Sequence, residues 1–298
     1  MMRADVSDFA RIGDDREVPA RREVPSVTEG GGGGARGTRV SVITPVLNGQ
    51  GTIEDTIRSV AGQRYPDIEY LVVDNGSTDA TLDIVGRYRH AVSAVIGEGR
   101  KGIYPAMNRG IQSAHGEIIG ILTADDCYAD EGVIEKVTGA LLARNADVCW
   151  GDLVYVDRIH PEKVLRYWRS SEYRKGIFEK GWMPPHPTFF VKKWVYDRYG
   201  VFDLAYRFAA DYELMLRFLH TCGVRGAYIP ELLVSMRIGG MTNRGIGNII
   251  RKSREDYRAL RLHDVRGRLC ALAMKNISKL PQFFRRPPEA RRGEAAAS

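Results

Sequence analysis

The 298-residue sequence contains few cysteines and no long apolar run, and these absences exclude several classes of protein. The four cysteines are widely spaced and match neither a zinc-binding pattern nor a disulfide framework, so we expect reduced thiols and a cytoplasmic protein. No stretch approaches the roughly 18 to 20 apolar residues that a membrane-spanning helix requires. The first 15 residues mix both signs of charge without an apolar centre, so no secretory signal is expected there.

Excess positive charge is absent from most of the chain, although the net charge is +7. Residues 1–39 hold seven basic and seven acidic side chains, whereas residues 246–298 hold 13 basic and five acidic ones. Residues 40–245 therefore carry a net charge of −1. A domain that binds nucleic acid would be basic across its folded body, so no nucleic-acid partner is expected. The basic tail favours a local contact with an anionic surface.

Apolar strands alternate with amphipathic helices from residue 39 onward. This alternation predicts an α/β fold with a doubly wound, mostly parallel sheet flanked by helices. Residues 1–38, which include a run of five glycines, and residues 287–298 are expected to be disordered. Between them we predict one catalytic domain at 39–245 and a basic helical tail at 246–286. The predicted strands lie at 40–45, 68–73, 91–96, 117–122, 147–150 and 228–236.

Two adjacent acids, Asp125 and Asp126, follow the apolar run at 117–122. Open α/β sheets bind their ligands at the carboxyl ends of the strands. Adjacent carboxylates repel each other unless a cation lies beside them. Mg²⁺ or Mn²⁺, with oxygen ligands and a bound phosphate, would remove that repulsion. The alternative is that Asp126 caps the helix that starts near Glu131, while Asp125 is solvated.

Further candidate ligands follow the first two strands. The Thr44-Pro45 turn, with Asn48 beyond it, closes the first strand where a doubly wound sheet would hold a nucleotide, although a simple turn would look much the same. Asp74 ends the second strand and could accept a hydrogen bond from a base or a ribose hydroxyl. Its alternative role is to stabilise the turn that follows. Asn108 faces inward by helical spacing, which makes it a candidate ligand contact.

The second half of the chain offers candidates for proton transfer and acceptor binding. Asp211 and Glu213 open a predicted helix at 209–220. The helix dipole alone stabilises an acid at this end by about 0.3 to 1 kcal/mol, whatever the function of the acid. His186 lies between two prolines and is either a structural histidine or a group on the acceptor side.

Five motifs occur together in the order typical of one enzyme family. They lie at 42–48, 72–79, 102–110, 116–126 and 210–217, and they include Thr-Pro-Val-Leu-Asn, Val-Asp-Asn-Gly-Ser-Thr-Asp and Ala-Asp-Asp. On these motifs the chain resembles a family-2 glycosyltransferase of the GT-A fold. It is similar to bacterial enzymes that build exopolysaccharide, O-antigen or glycolipid sugars. The resemblance covers residues 39–245 and implies a single GT-A-type domain there.

The resemblance also implies an inverting transfer from a nucleotide-diphosphate sugar to a hydroxyl of a glycan or lipid-linked acceptor. By matched position, Asp74 would bind the nucleobase and Asp211 would be the catalytic base. One of Asp125 and Asp126 would contact the ribose, and the other would bind the Mg²⁺ or Mn²⁺ ion. Arg237 matches a basic position near the diphosphate.

Two residues depart from the pattern of the family. Pro105 stands where close relatives often carry Asp, so one possible contact with the donor is missing. Thr123 stands where many relatives carry Asp or Asn. The first half of the acidic motif is therefore missing, and metal binding depends on the Asp125-Asp126 pair.

The tail combines apolar side chains at three- and four-residue intervals with many basic ones, which predicts a basic amphipathic helix interrupted by Pro281. Such a helix could lie on an anionic membrane surface, peripherally on the inner face of the cell membrane. It could equally pack on the catalytic domain with a solvated charged face.

Two other functions compete with glycosyl transfer. A catalytically silent nucleotide-sugar-binding protein of the same fold would have no need of Asp211. A nucleotidyltransferase would require a glycine-rich loop after a strand, whereas residues 33–39 precede the first strand. Glycosyl transfer is therefore the leading hypothesis.

Overall fold

The computed structural model describes residues 37–97, 99, 101–239 and 246–283. The disorder predicted for 1–38 and 287–298 therefore falls outside the described residues, except at residues 37 and 38. Within the described ranges, no helix is both long and apolar enough to cross a membrane.

The first half of the chain forms a parallel sheet with helices in its connections. Its strands are β1 (Val40–Val46), β2 (Ile68–Asp74), β3 (Ala94–Gly97) and β4 (Ile118–Ile121), in the spatial order β3-β2-β1-β4. The connecting helices are α1 (Ile53–Ala61), α2 (Thr81–Arg87) and α3 (Ile103–Ser113). Val42 and Ile43 are both fully buried and belong to separate core clusters, one on each face of the sheet. Burial on both faces requires the apolar sequence that β1 has.

Antiparallel pairs extend the sheet in the second half of the chain. The elements are β5 (Asp126–Tyr128), α4 (Val133–Ala143), β6 (Val148–Val156), β7 (Val164–Trp168), β8 (Phe190–Lys192), α5 (Lys193–Tyr199) and β9 (Gly226–Arg237). The complete order is β3-β2-β1-β4-β8-β6-β9-β5, with β7 paired to β6. In this half β6 and β9 are parallel, and the other pairs are antiparallel. The predicted α/β fold is confirmed, with a mixed rather than a wholly parallel second half.

The short antiparallel strands bring the acidic motif to the end of β9. β5 pairs with β9 so that Asp126 lies opposite Met236, one residue before Arg237. A three-residue strand is too short to show an alternating pattern, so the sequence analysis did not predict β5.

Helix α3 packs close to β1 because Gly110 has no side chain. A β-carbon at this position would lie 2.3 Å from Cγ2 of Ile43. The helix therefore lies directly on the sheet. Its first turn carries Tyr104, whose ring stacks on Phe202 with 5.5 Å between the ring centroids.

The predicted helix at 209–220 is observed as α6 (Ala210–Met215), which continues as a π-helical segment, Leu216–Thr221. A buried network of charged groups fixes this segment. Glu213 accepts a hydrogen bond from Arg217 Nη2 at 3.0 Å, and its other oxygen lies 3.0 Å from Nε2 of His263. Arg217 also donates to the carbonyl of Tyr199 at 2.6 Å.

The tail packs on the catalytic domain through two helices, α7 (Ile246–Leu262) and α8 (Arg268–Ile277), followed by a 3₁₀ turn, Leu280–Phe283. Leu260 and Val265 are fully buried in the main core. The carboxylate of Glu255 accepts hydrogen bonds from the backbone amides of residues 207, 208 and 209 at 2.7 to 3.0 Å, just before α6. These contacts are those expected of the packed alternative. Leu269 and Ile277 remain exposed on α8, and association with an anionic membrane stays a prediction.

Candidate active site

The loops that follow β1 and β2 are locked together. Asp74 is 7% exposed, and its carboxylate accepts hydrogen bonds from the amides of Gly76 at 3.0 Å and Ser77 at 3.1 Å. Asn48, with φ of 51°, accepts a hydrogen bond from the Thr78 amide at 2.8 Å. Asp74 thus stabilises its own turn, which was its alternative role. A carboxylate has about four acceptor sites, so lone pairs are left over for a base or a ribose.

The side chains of the Thr44-Pro45 turn face the protein interior. Thr44 is fully buried, and its hydroxyl accepts a hydrogen bond from Tyr70 at 3.1 Å. Pro45 is also buried. Thr44 and Pro45 therefore support the floor of the predicted nucleotide site, and their side chains are not directed at a ligand.

The acidic motif is organised around Thr123. The Thr123 hydroxyl donates to Asp125 Oδ1 at 2.9 Å and lies 2.7 Å from Asp126 Oδ2. A hydroxyl has a single proton, so the two carboxylates must share it. Asp125 is partly exposed and Asp126 is fully buried. Thr123, which departs from the family pattern, thus bridges the two acids.

One oxygen of the buried Asp126 carboxylate lacks a hydrogen-bond partner among the described residues. Burial raises the pKa of Asp126 well above its ordinary value, and the charge of Asp125 raises it further, while Thr123 and Arg237 lower it. Its Oδ1 atom is buried and has no hydrogen-bond partner among the described residues. A buried carboxylate oxygen of this kind needs either a proton or a cation.

Arg237 provides unpaired donors beside that carboxylate. It is 7% exposed, and its Nη2 atom donates to Asp55 at 2.5 Å. Its Nε and Nη1 atoms are buried and have no partner in the described part of the chain. Guanidinium N–H groups match the oxygens of a phosphate, so this end of β9 can receive an anionic group.

These orphaned atoms provide a test of whether a divalent cation and a diphosphate fit the site. Asp125 and Asp126 offer hard oxygen ligands, and Arg237 offers donors to a phosphate. No group of three or more His, Cys, Asp or Glu side chains in the described ranges could hold a metal ion without other ligands. Mg²⁺ is commonly held by one or two carboxylates together with phosphates and water. The residues present fit that arrangement.

Asp211 is the second residue of α6 and is partly exposed. The Tyr104 hydroxyl donates to its Oδ1 atom at 3.2 Å. Burial raises the pKa of Tyr104 well above its ordinary value, and Asp211 contributes to that rise. Tyr104 therefore stays protonated and orients the carboxylate, while the other oxygen of Asp211 can accept a proton.

Tyr155 on β6 connects the acidic motif with Asp211. Burial raises the pKa of Tyr155, Arg166 lowers it, and the charges of Asp126 and Asp211 both raise it. The register places Tyr155 opposite Met236, which lies opposite Asp126. Both carboxylates therefore lie within electrostatic range of the Tyr155 hydroxyl.

His186 lies close to Asp211. Its ring packs edge-on against Phe202, with 5.6 Å between the centroids. Burial lowers the pKa of His186, and the charge of Asp211 opposes that change. A neutral imidazole beside Asp211 is compatible with the predicted acceptor-side position.

Two candidate residues have structural contacts that leave little room for a ligand. The side-chain amide of Asn108 donates to the carbonyl of Phe202 and accepts from its amide, both at 2.9 Å. Glu213 is 3% exposed and is held between Arg217 and His263. Asn108 therefore anchors the loop that carries Phe202, and Glu213 stabilises α6, instead of the ligand contacts that we expected.

Tyr155 was not predicted from the sequence as a site residue, and Tyr104 was given no role. The predicted strand ended at residue 150, whereas β6 continues to Val156. Tyr155 also lies outside all five motifs. Tyr104 lies within one of the five motifs, so the order of motifs was the available signal for it.

The chain belongs to glycosyl transferase family 2, because the model of that family matches residues 41–206. The protein is therefore a glycosyltransferase, with the GT-A fold that the motifs predicted.

Similar proteins agree with this assignment. The PGL/p-HBAD biosynthesis glycosyltransferase of Mycobacterium tuberculosis is 27% identical over 207 residues, which cover 68% of this chain and 78% of the relative. A mannosyltransferase of Pyrobaculum calidifontis, solved with GDP-Man and Mn²⁺, has a TM-score of 0.60 at 22% identity and covers 83% of this chain and 73% of its own. Staphylococcus aureus TarS, solved with UDP-GlcNAc, has a TM-score of 0.57 at 18% identity, and the match covers 76% of this chain and 66% of the TarS chain. The two structures support the fold.

Proposed function

We propose that the protein is an inverting, metal-dependent glycosyltransferase that moves a sugar from a nucleotide-diphosphate donor to a hydroxyl of a glycan or lipid-linked acceptor. Its biological role is in the synthesis of cell-surface polysaccharide or glycolipid. The observation that carries the proposal is the set of unpartnered polar atoms at the end of β9, where Asp126 Oδ1 and the Nε and Nη1 atoms of Arg237 are buried without a hydrogen-bond partner among the described residues. These atoms can receive the cation and diphosphate of a donor, while Asp211, which accepts a hydrogen bond from Tyr104, can receive the proton of an acceptor.

The names of similar proteins support the class of donor and acceptor. The two solved neighbours bind UDP-GlcNAc and GDP-Man, which are both nucleotide-diphosphate sugars. The mycobacterial relative is named for the biosynthesis of PGL and p-HBAD. We infer the same donor class for this chain, with the nucleobase of the donor near Asp74 and the diphosphate of the donor near Arg237.

Asp211 acts as the general base. The acceptor hydroxyl must lose a proton as it attacks the anomeric carbon, and a positioned carboxylate typically contributes about 10²- to 10⁴-fold in rate. Tyr104 holds one oxygen of Asp211 at 3.2 Å. We propose that the acceptor attacks from the face opposite to the leaving diphosphate, which inverts the configuration at the anomeric carbon.

Asp125 and Asp126 would hold the Mg²⁺ or Mn²⁺ ion. When bound, the ion supplies neutralisation of the charge that develops on the leaving diphosphate. Arg237 would direct two buried nitrogen donors, Nε and Nη1, at the same charge. Thr123 keeps the two carboxylates together by its hydroxyl.

A catalytically silent nucleotide-sugar-binding protein of the same fold is the alternative. Such a protein would have no use for an acid that is oriented by a tyrosine and borders the donor site. The Tyr104–Asp211 hydrogen bond therefore favours the enzyme.

Turnover of donor sugars tests the proposed function. We expect the purified protein to release nucleoside diphosphate from at least one member of a panel of UDP-, GDP-, ADP- and dTDP-sugars, measured by mass spectrometry. An excess of chelator should abolish the release, and added Mg²⁺ or Mn²⁺ should restore it. Binding of a donor without turnover, in the presence of metal and of candidate acceptors, would favour the silent alternative.

A further inference from the structure

Helix α1 is fastened to the strand that carries the acidic motif. The buried hydroxyl of Thr56 donates to the backbone carbonyl of Asp126 at 2.8 Å. One turn later, the hydroxyl of Ser59 accepts a hydrogen bond from the amide of Tyr128 at 3.2 Å. Both bonds join α1 to β5, so the helix fixes the backbone at the predicted metal and diphosphate site.

The neighbouring residue on α1, Asp55, reaches the end of β9. Its Oδ2 atom accepts a hydrogen bond from Nη2 of Arg237 at 2.5 Å, across 182 positions of the sequence. The Arg237 side chain is 7% exposed, whereas the Asp55 side chain is 54% exposed. A carboxylate at the surface thus holds a guanidinium that lies inside the protein.

A role in helix capping does not account for the position of this carboxylate. Asp55 is the third residue after Thr52, from which an acid can reach back to the amide that starts the helix. The Thr52 amide donates instead to the carbonyl of Gly49 at 2.9 Å, and the Asp55 carboxylate is bonded to Arg237. The helix dipole stabilises any acid in this turn, and Glu54 has the same benefit.

The charge of Asp55 by itself opposes the binding of a diphosphate. Phosphate oxygens that reach the Arg237 guanidinium come within a few ångströms of the acid paired with it, and like charges repel each other. If Asp55 were only a neighbouring charge, its removal would strengthen nucleotide binding. Asp55 can promote binding only through its effect on Arg237, so the sign of the change distinguishes the two roles.

The bond to Asp55 determines where the other donors of Arg237 point. The guanidinium is a rigid plane with five N–H groups, so fixing one nitrogen restricts the directions of the others. The Nε and Nη1 atoms are buried and have no hydrogen-bond partner in the part of the chain that the structure describes. A side chain that is ordered before a ligand arrives loses less conformational entropy when it binds.

We propose that Asp55 is a positioning residue for the donor diphosphate. Its carboxylate fixes the plane of the Arg237 guanidinium, and the two unpartnered nitrogens are thereby held ready for phosphate oxygens. The proposal rests on the proposed function and deepens it, because it assigns a residue that assists donor binding without touching the donor.

A double-mutant cycle tests the proposal through the affinity for nucleoside diphosphate. The variants are Asp55→Ala, Arg237→Gln and the combination of both, titrated by calorimetry with UDP, GDP, ADP and dTDP in the presence of Mn²⁺. Asp55→Glu keeps the charge and can still reach Arg237 from its exposed position. The matched control is Glu54→Ala, which removes an acid from the same turn of α1 that pairs with Arg58. Asp55→Ser replaces Asp55→Ala if the latter lowers the thermal unfolding midpoint.

We expect Asp55→Ala to bind the preferred diphosphate roughly tenfold more weakly than the wild type, which is about the contribution of one hydrogen bond to a charged group. Asp55→Glu should recover most of this affinity, and Glu54→Ala should bind at least as tightly as the wild type. In the Arg237→Gln background, Asp55→Ala should cause no further loss, because residues that act as a unit are not additive. Affinity for the matching nucleoside, followed by ligand-observed NMR, should not change.

Three results would overturn the proposal. The first is that Asp55→Ala, with the thermal unfolding midpoint of the wild type, binds the diphosphate equally well or more tightly. The second is that the loss caused by Asp55→Ala is the same in the Arg237→Gln background. The third is an equal loss of affinity for the nucleoside, which would indicate a general disturbance of the donor site.

Failure of the proposed function gives a different pattern. A wild-type protein that binds none of the four diphosphates would overturn both the proposed function and the role of Asp55. A wild-type protein that binds one of them but transfers no sugar would overturn the enzymatic function alone, and the cycle would still decide the role of Asp55.

Discussion

Replacing Asp211 by Asn is expected to lower kcat for sugar transfer by roughly 10²- to 10⁴-fold, the usual contribution of a general base. Asn is close to Asp in size and can still interact with Tyr104, so the start of α6 should keep its structure. It cannot accept a proton from the acceptor. Affinity for the donor nucleotide should stay close to that of the wild type, because the predicted donor contacts belong to other elements.

Steady-state kinetics and nucleotide titration on the same preparation measure these two effects. The matched control is Asp197→Asn, which removes an exposed acid paired with Lys193 on α5. The control should keep its kcat. Unchanged turnover in Asp211→Asn would remove this residue as the base. A parallel loss of nucleotide affinity would show that Asp211 serves the donor.

The second large effect is expected for Asp126→Asn. In the presence of Mn²⁺ the variant should bind nucleoside diphosphate about as weakly as the wild type does in chelator. Asn preserves the volume of this fully buried side chain and avoids a cavity, so the loss would report the missing negative charge. Addition of chelator should then cause little further loss, because the metal no longer contributes.

Calorimetry with and without Mn²⁺ measures the change. Asp125→Asn, measured alongside, shows how the two acids divide the metal and the ribose. Asp130→Asn is the control, because its acid is paired with Lys136 on the surface. Equal affinity of wild type and Asp126→Asn in Mn²⁺, or no effect of chelator on the wild type, would contradict the metal site.

The amino-acid sequence was sufficient to predict the first half of the sheet, because its strands are buried on both faces and therefore continuously apolar. β1 and β2 end within one residue of the prediction. Asp74 and Asp126 consequently lie at the edge where they were expected. The antiparallel strands β5 and β7 were not predicted, since strands of three to five residues carry little periodic signal.

Side-chain partners were the part of the candidate site that the sequence could not supply. Asn108 occupies an inward position, as helical spacing indicated, yet its partner is the backbone of Phe202, 94 residues away. Glu213 likewise has its partner in the tail, at His263. Long-range contacts of this kind depend on tertiary packing, which no local pattern encodes. The same limit applies to Tyr155.

The tail shows how a correct local prediction can leave its role open. Its helical character was expected from the apolar spacing, and the structure has two helices there. Glu255 and Asp256 decide where those helices pack, because one accepts the amides before α6 and the other pairs with Lys275. Both acids were counted only as charges in the sequence, where they reduced the positive charge of the tail.

A crystal structure of the protein with Mn²⁺ and the nucleoside diphosphate of its preferred donor would test most directly whether one cleft holds both the donor and the catalytic base Asp211. We expect the diphosphate and metal between Asp125, Asp126 and Arg237, with the nucleobase near Asp74. The carboxylate of Asp211 should face the space beyond the terminal phosphate, on the side of Tyr155. A diphosphate bound away from the acidic pair, or an Asp211 separated from it by the sheet, would contradict this arrangement.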